Sequence, residues 1–237
     1  MGIRLTKGEI IAFLDGDCIP EKRWLEEINR KMSKPQIGMV YGKRIASNPP
    51  LLNHREIKYR VRSGKFSEYR IRVFNKTNAN SMYLVSGQNM AIRRNALKSY
   101  KFDALFDSIG GEDIDMQWTL LEKGVHIVFD PYMVVRHEHP HSVYSHFKKA
   151  MKYGKSEKLI ELKHPEIKSN IWWHAYTPNF SHAFSSWDKT VLFTEFLDYF
   201  GRQLGRSSVV IFKKYGFNAT VNRGIRYWKN KYGNKVG

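Results

Sequence analysis

Two carboxylates, Asp15 and Asp17, follow directly on the apolar run Ile10-Ile11-Ala12-Phe13-Leu14, with Gly16 between them to let the backbone turn. The run is short, β-branched at its start and bounded by Gly8-Glu9 and Cys18-Ile19-Pro20, so it reads as a strand buried on both faces. Ligands of open α/β sheets collect outside the carboxyl ends of strands, where these acids would emerge. Hard oxygen ligands suit Mg²⁺ or Mn²⁺ carrying a diphosphate. An Asp-x-Asp triplet alone is a weak signal. The chain holds a second one, Asp113-Ile114-Asp115, in a predicted helix, where residues two apart point to nearly opposite sides and cannot pinch one ion.

Three later segments carry further chemistry. Ser86-Gly87-Gln88-Asn89 is a turn that feeds the apolar stretch Met90-Ala91-Ile92, and its amides offer donors and acceptors beside a glycine that permits close backbone approach. Gly110-Gly111 opens a helix with Glu112, Asp113 and Asp115 in its first turn. Acids there stabilise the helix, and the dipole favours their ionised form. Finally, Met133 to Arg136 runs into His137, with His139 and His141 two residues apart. Three such histidines on a strand would share a face and could hold zinc, but Pro140 interrupts a regular ladder.

In this order the strand-borne Asp-x-Asp, the Ser-Gly-x-Asn stretch, the Glu-Asp helix start and the late histidine make the chain resemble family 2 glycosyltransferases of the GT-A fold, over roughly residues 2–155. The resemblance implies an α/β fold: a Rossmann-like GT-A mixed sheet flanked by helices. It implies an inverting glycosyltransferase that moves a sugar from a nucleotide-diphosphate donor to a hydroxyl of a glycan, polysaccharide or lipid-linked saccharide. Asp17 and His137 would hold the divalent cation, Mn²⁺ or Mg²⁺. Asp15 would address the ribose or a metal-bound water. Asp113 would be the base, Glu112 would orient the acceptor, and Ser86, Gly87, Gln88 and Asn89 would shape the sugar pocket. Lys148, Lys149 and Lys155 are available to the diphosphate.

The resemblance also implies a missing part. Family members carry most of their nucleotide-binding half ahead of the Asp-x-Asp, and only fourteen residues precede Asp15. The expectation is therefore an incomplete GT-A domain over 1–155, active if a separate chain or an upstream segment supplies the rest, and otherwise an inactive remnant. Residues 156–237 are expected to form a basic, helical, amphipathic extension.

Charge supplies a third functional class. The chain has 40 Lys plus Arg against 22 Asp plus Glu, a net +18, and Gly201 to Gly237 contains no acid. Such a field attracts nucleotide diphosphates, anionic lipid or nucleic acid. Zinc-finger spacing, RNP-type aromatic strands and helix-turn-helix signals are absent, which counts against nucleic acid. Asp188 can cap a helix on which Val191, Leu192, Phe193, Phe196, Leu197, Phe200 and Leu204 make an apolar stripe followed by Arg202, Arg206, Lys213 and Lys214. That stripe either packs into a core or lies in the plane of an anionic leaflet. With a lone Cys18 and no apolar run of membrane-spanning length, the expected place is the cytoplasm, peripheral on the inner membrane face.

The elements that must position these groups can be read from periodicity. Trp24, Leu25, Ile28 and Met32 recur at helical spacing, Ile37 to Gly42 reads as a strand, and 53–66 as a basic helix. Ile114, Trp118 and Leu121 line one face of the Glu-Asp helix, which Gly124 ends. Val125 to Phe129 is a strand, Asp130-Pro131 a turn, and Met133 to Arg136 another strand.

Overall fold

The computed structural model describes residues 2–46, 71–75, 77–78, 87–98, 100–107, 110–137, 142–165 and 189–215. In chain order these form α1 (Gly2–Leu5), β1 (Ile10–Leu14), β2 (Cys18–Pro20), α2 (Trp24–Met32), β3 (Ile37–Ala46), β4 (Arg72–Phe74), β5 (Asn89–Arg93), α3 (Arg94–Lys98), a 3-10 turn at Ala104–Phe106, α4 (Glu112–Glu122), β6 (His126–His137), α5 (Val143–Lys163) and α6 (Lys189–Tyr215). The expected helix at 53–66, Ser86, His139, His141 and the Asp188 cap lie outside the described residues.

The strands make one mixed sheet in the order β1-β5-β3-β6-β2, with β4 also on β6. Among the described residues only the β3–β6 pair is parallel. Alternation along the central strands sends Met39, Tyr41, Ile92, Ile127 and Phe129 into a core shared with Met116 and Leu120 of α4. The intervening Val40, Ala91, Val128 and Val135 meet Trp24, Ile28 and Met32 of α2 on the other face. The result is the expected sheet flanked by helices. Trp24, Ile28 and Met32 are four residues apart and all buried, and at about 1.5–3 kcal/mol each they fix the orientation of α2. Leu25, expected on that stripe, points away and is exposed, one residue being a 100° turn.

The strand before Asp15 differs from expectation. Among the described residues β1 pairs with β5 alone, and of its five residues only Ile11 is buried. It is an edge strand, not one covered on both faces. A second difference decides the site. Asp130-Pro131 is no turn, because β6 runs unbroken from His126 to His137. Against β3 the register jumps from Gly42–Asp130 to Lys43–Val134, so residues 131–133 bulge out of the ladder. A proline is tolerated at such a bulge. Gly42 makes room for it, since a Cβ there would overlap the Met133 carbonyl oxygen. Asp130, fully buried, is neutralised by Arg30 and Lys31, each 3.3 Å away, and accepts from the Tyr132 amide.

Strand bulges bend a sheet. This one must bend, because β1 and β2 stand at opposite ends of the strand order and only Asp15, Gly16 and Asp17 join them. Four strand spacings come to about 19 Å in a flat sheet, whereas four residue steps reach about 14 Å at most. The curl brings the Asp-Gly-Asp turn over the end of β6.

α5 and α6 pack closely through small residues: a Cβ on Gly154 would overlap the Arg202 carbonyl, and one on Gly205 the Met151 carbonyl. Residue 155, the expected domain boundary, lies inside α5, which continues to Lys163. Arg202 and Arg206, expected to form a basic end to the apolar stripe, turn inward instead: Arg202 pairs with Glu157 and Asp198, and Arg206 with Glu161. No helix among the described residues is long and apolar enough to cross a membrane.

Candidate active site

The register of β2 on β6 sets Cys18 opposite His137, which carries Asp17 to the same place. Asp17 Oδ2 lies 3.2 Å from His137 Nε2, although 119 residues separate them in the chain. His137 is buried at 1% exposure and Asp17 is open to solvent, so the pair has a protein side and a solvent side. Burial, then the positive charge of Arg44, lowers the His137 pKa against the pull of Asp17, and Lys149 lowers it further. A neutral imidazole beside a carboxylate is a donor pair for a divalent cation.

Cys18 completes the cluster. One ligand atom each from Asp17, Cys18 and His137 fall within 4.8 Å of one another. Burial, followed by the charges of Asp17 and Asp15, pushes the thiol up to about 11, so it is protonated and packs rather than reacts. Asp15, expected as a further metal ligand, is exposed and outside this group, because the turn that aims Asp17 at His137 leaves Asp15 on the β1 side.

Gly87 and Gln88, the two described residues before β5, link the cation pair to the acidic helix. Gln88 Nε2 is 2.9 Å from His137 Nε2, and Arg44 Nη1 donates to Gln88 Oε1 at 2.6 Å. The Gly87 amide donates to Asp113 Oδ2 at 2.8 Å. A Cβ at Gly87 would make only an ordinary contact with Asp113, so the backbone donor matters there and the missing side chain does not. Asn89, expected to contact substrate, is 2% exposed and fully engaged. Its Nδ2 donates to the carbonyls of Lys43 and Met133, both at 2.9 Å, and its Oδ1 accepts from Trp24 Nε1 at 2.7 Å. It bridges Lys43 of β3 and Met133 in the bulge of β6 and is turned into the fold, away from the surface.

Asp113 stands in the first turn of α4 behind Gly111, which takes a left-handed φ of 97° at the helix entry. A side chain there would be strained and would also overlap Ser156 Oγ. The second oxygen of Asp113 accepts from the Ile114 amide at 2.8 Å. Burial dominates its titration, and with the charge of Glu112 it raises the pKa to about 6 against the lowering donated by the Gly87 amide. The helix start was expected to favour the ionised form; loss of water outweighs it. Glu112 is adjacent and partly buried, and its carbonyl accepts from Tyr100 Oη at 3.3 Å.

Asp115 does something the sequence did not signal. It is fully buried and accepts from Tyr100 Oη, Lys163 Nζ and His164 Nε2, each at 2.8 Å. Burial works to raise its pKa, but the hydrogen bonds from His164 and Lys163 and the Lys163 charge leave it lowered. The cluster ties the start of α4 to the end of α5. Arg44 also went unnoticed, having no motif around it. The Trp118 indole, set between two core clusters, packs rather than facing a ligand.

A family model described as glycosyltransferase like family 2 matches residues 1–153. The chain belongs to this family. Every residue of the site lies within that match. Among curated relatives of this family 2 chain are the pre-mycofactocin glycosyltransferases of Mycobacterium tuberculosis strains CDC 1551 / Oshkosh and ATCC 25618 / H37Rv, each 24% identical over 170 residues. The match covers 70% of this chain and 34% of theirs, so the chain spans about a third of their length. Among solved structures, the mannosyltransferase PcManGT from Pyrobaculum calidifontis in complex with GDP-Man and Mn²⁺ superposes with a TM-score of 0.49 at 13% identity, over 97% of this chain and 58% of that one.

Proposed function

We propose that this chain transfers a sugar from a nucleoside-diphosphate donor to a hydroxyl acceptor by single displacement with inversion, using a divalent cation at Asp17 and His137. One observation carries the reading: Asp17 and His137 stand 3.2 Å apart, and the Gly87-Gln88 pair joins them through one residue to Asp113. A cation-holding pair and a carboxylate of raised pKa on one framework are the two parts that sugar transfer needs.

The donor set fits the ion. An exposed carboxylate and a buried, neutral imidazole are oxygen and nitrogen ligands suited to Mn²⁺ or Mg²⁺, with the open side of Asp17 left for phosphate oxygens. When bound, the ion supplies charge to neutralise the departing diphosphate. Gln88, held by Arg44, donates to the same His137 Nε2 that a cation would take, so its amide would yield that lone pair to the ion; the positive charge of Arg44 adds to that of the site. Asp113 takes the acceptor's proton as the hydroxyl oxygen bonds to the anomeric carbon and the bond from that carbon to the diphosphate breaks. With a pKa of about 6 the carboxylate is about nine-tenths ionised at pH 7 and still basic enough to accept a proton. The Gly87 amide fixes one of its oxygens and the Ile114 amide the other, so the carboxylate cannot rotate away. Glu112 orients the acceptor beside it.

The test is release of nucleoside diphosphate from a panel of nucleotide sugars, with acceptor and Mn²⁺, by the chain and by Asp17→Ala and Asp113→Asn. Turnover that needs the metal and is lost in both variants supports the proposal. Equal rates in all three proteins would remove it. Mn²⁺ binding read directly by electron paramagnetic resonance should fail in Asp17→Ala and persist in Asp113→Asn, which separates holding the ion from using the base.

A further inference from the structure

Among its described side chains, α6 turns charges inward and aromatics outward. Asp198 and Arg202 face α5 and are buried, while Phe193, Phe196, Phe200 and Leu204 on the opposite side are 40–52% exposed. These four recur every three or four residues, so they form one continuous line about 16 Å long. Among the described side chains of α6, none that is exposed carries a charge. The carboxylates of α5, Glu157 and Glu161, are likewise buried in ion pairs with Arg202 and Arg206. What α5 turns outward is basic: Lys148 and Lys152 are exposed, as is Tyr144 at 73%.

The two surfaces are continuous. Phe196 stacks on Phe200 with ring centroids 5.8 Å apart, and Phe200 on Phe147 of α5 at 6.3 Å. Tyr144, Lys148 and Met151, spaced four and three residues apart, form a stripe of α5 beside Phe147. An apolar ridge flanked by lysines, with Glu157, Glu161 and Asp198 withdrawn into ion pairs, is complementary to a surface that is oily beneath and negative above. Phe196 and Phe200 stack on each other and Phe200 on Phe147, so these ring faces are taken up within the ridge instead of presented to bases, which disfavours nucleic acid as the occupant.

We propose that the outward face of α6, with the Tyr144–Lys148 flank of α5, docks the protein in the plane of an anionic lipid surface. The helix lies in the interface, its ridge entering the boundary between headgroups and acyl chains while the lysines meet lipid phosphates. This goes beyond the sugar-transfer reading and stands on residues outside the cation pair and Asp113.

The experiment is co-sedimentation of the full chain with vesicles of phosphatidylcholine alone or with 30 mol% phosphatidylglycerol. Binding should require the anionic lipid and weaken with salt. The triple variant Phe193→Ser, Phe196→Ser, Leu204→Ser should lose at least about tenfold in affinity while melting like the parent, because its changes are on the exposed side. Lys148→Gln with Lys152→Gln should lose about fivefold per lysine. Equal binding to neutral vesicles, undiminished binding by the triple variant, or a concentration-dependent dimer that the triple variant abolishes while vesicles bind nothing would each overturn the proposal. So would binding of the parent to single-stranded DNA, at matched salt, tighter than to the anionic vesicles.

Discussion

Acidification should silence this protein well before it unfolds, and the pH of the loss is set by one side chain. Asp113 titrates at about 6 because burial disfavours its charge. About 99% of it is ionised at pH 8, about half at pH 6 and about a tenth at pH 5, so kcat/KM for transfer should fall roughly tenfold between pH 7 and pH 5. The sign follows from the role: a base works ionised, so activity disappears as pH drops through the raised pKa. Asp115 supplies the contrast. Its folded-state pKa is lowered, so the stability it contributes is present above its unfolded value and is lost only as pH falls through the folded one, below about 4. Between pH 7 and pH 5 the buried His137, kept neutral, costs stability and Asp113, with its raised pKa, returns some, so a circular-dichroism melt at pH 5 should still show a folded protein while nucleoside-diphosphate release has collapsed. Glu112→Gln removes the neighbouring charge and should move the acid limb to lower pH. Asp113→Asn should reduce the rate by about 10²–10⁴-fold and flatten the limb in whatever activity remains. A limb near pH 6 that survives in Asp113→Asn, or a rate unchanged down to pH 4.5, would refute the assignment of the base.

Other perturbations separate structure from chemistry. Asn89→Ala leaves the Lys43 and Met133 carbonyls and the Trp24 indole without their partner, and at about 1–3 kcal/mol for each group it should cost 3 kcal/mol or more, read as a shifted urea midpoint; an unchanged midpoint with a raised acceptor KM would restore a substrate role. Asp115→Ala removes the acceptor shared by Tyr100, Lys163 and His164, leaves Lys163 its pair with Asp103, and should destabilise by about 1–3 kcal/mol in the same assay, an effect absent if the cluster is solvated in solution. Gly154→Ala drives a methyl into the Arg202 backbone and should lower stability by about 1–3 kcal/mol; a neutral effect would mean that α5 and α6 can move apart freely.

The sequence by itself determined the parts that depend on neighbours in the chain. Strand, turn and acids at 10–17, the helix that begins at Glu112 and stops at Gly124, and the run of β6 into His137 are local patterns, legible because periodicity and turn chemistry act over a few residues. Pairing across the sheet was not local. That Asp17 reaches His137 while Asp15 does not depends on the register of β2 and on a bulge at residues 131–133 that reads in sequence as a turn. That Asn89 bridges β3 and β6 depends on the same irregularity, which sets the Lys43 and Met133 carbonyls within reach of one amide. Likewise, the stripe on α6 was visible as apolar, but only packing against α5 decided that it faces out, since glycines let the backbones approach and the buried ion pairs occupy the inner side. Composition and spacing name the groups that can act; which of them meet is settled by contacts between residues far apart in the chain, and no local pattern encodes those.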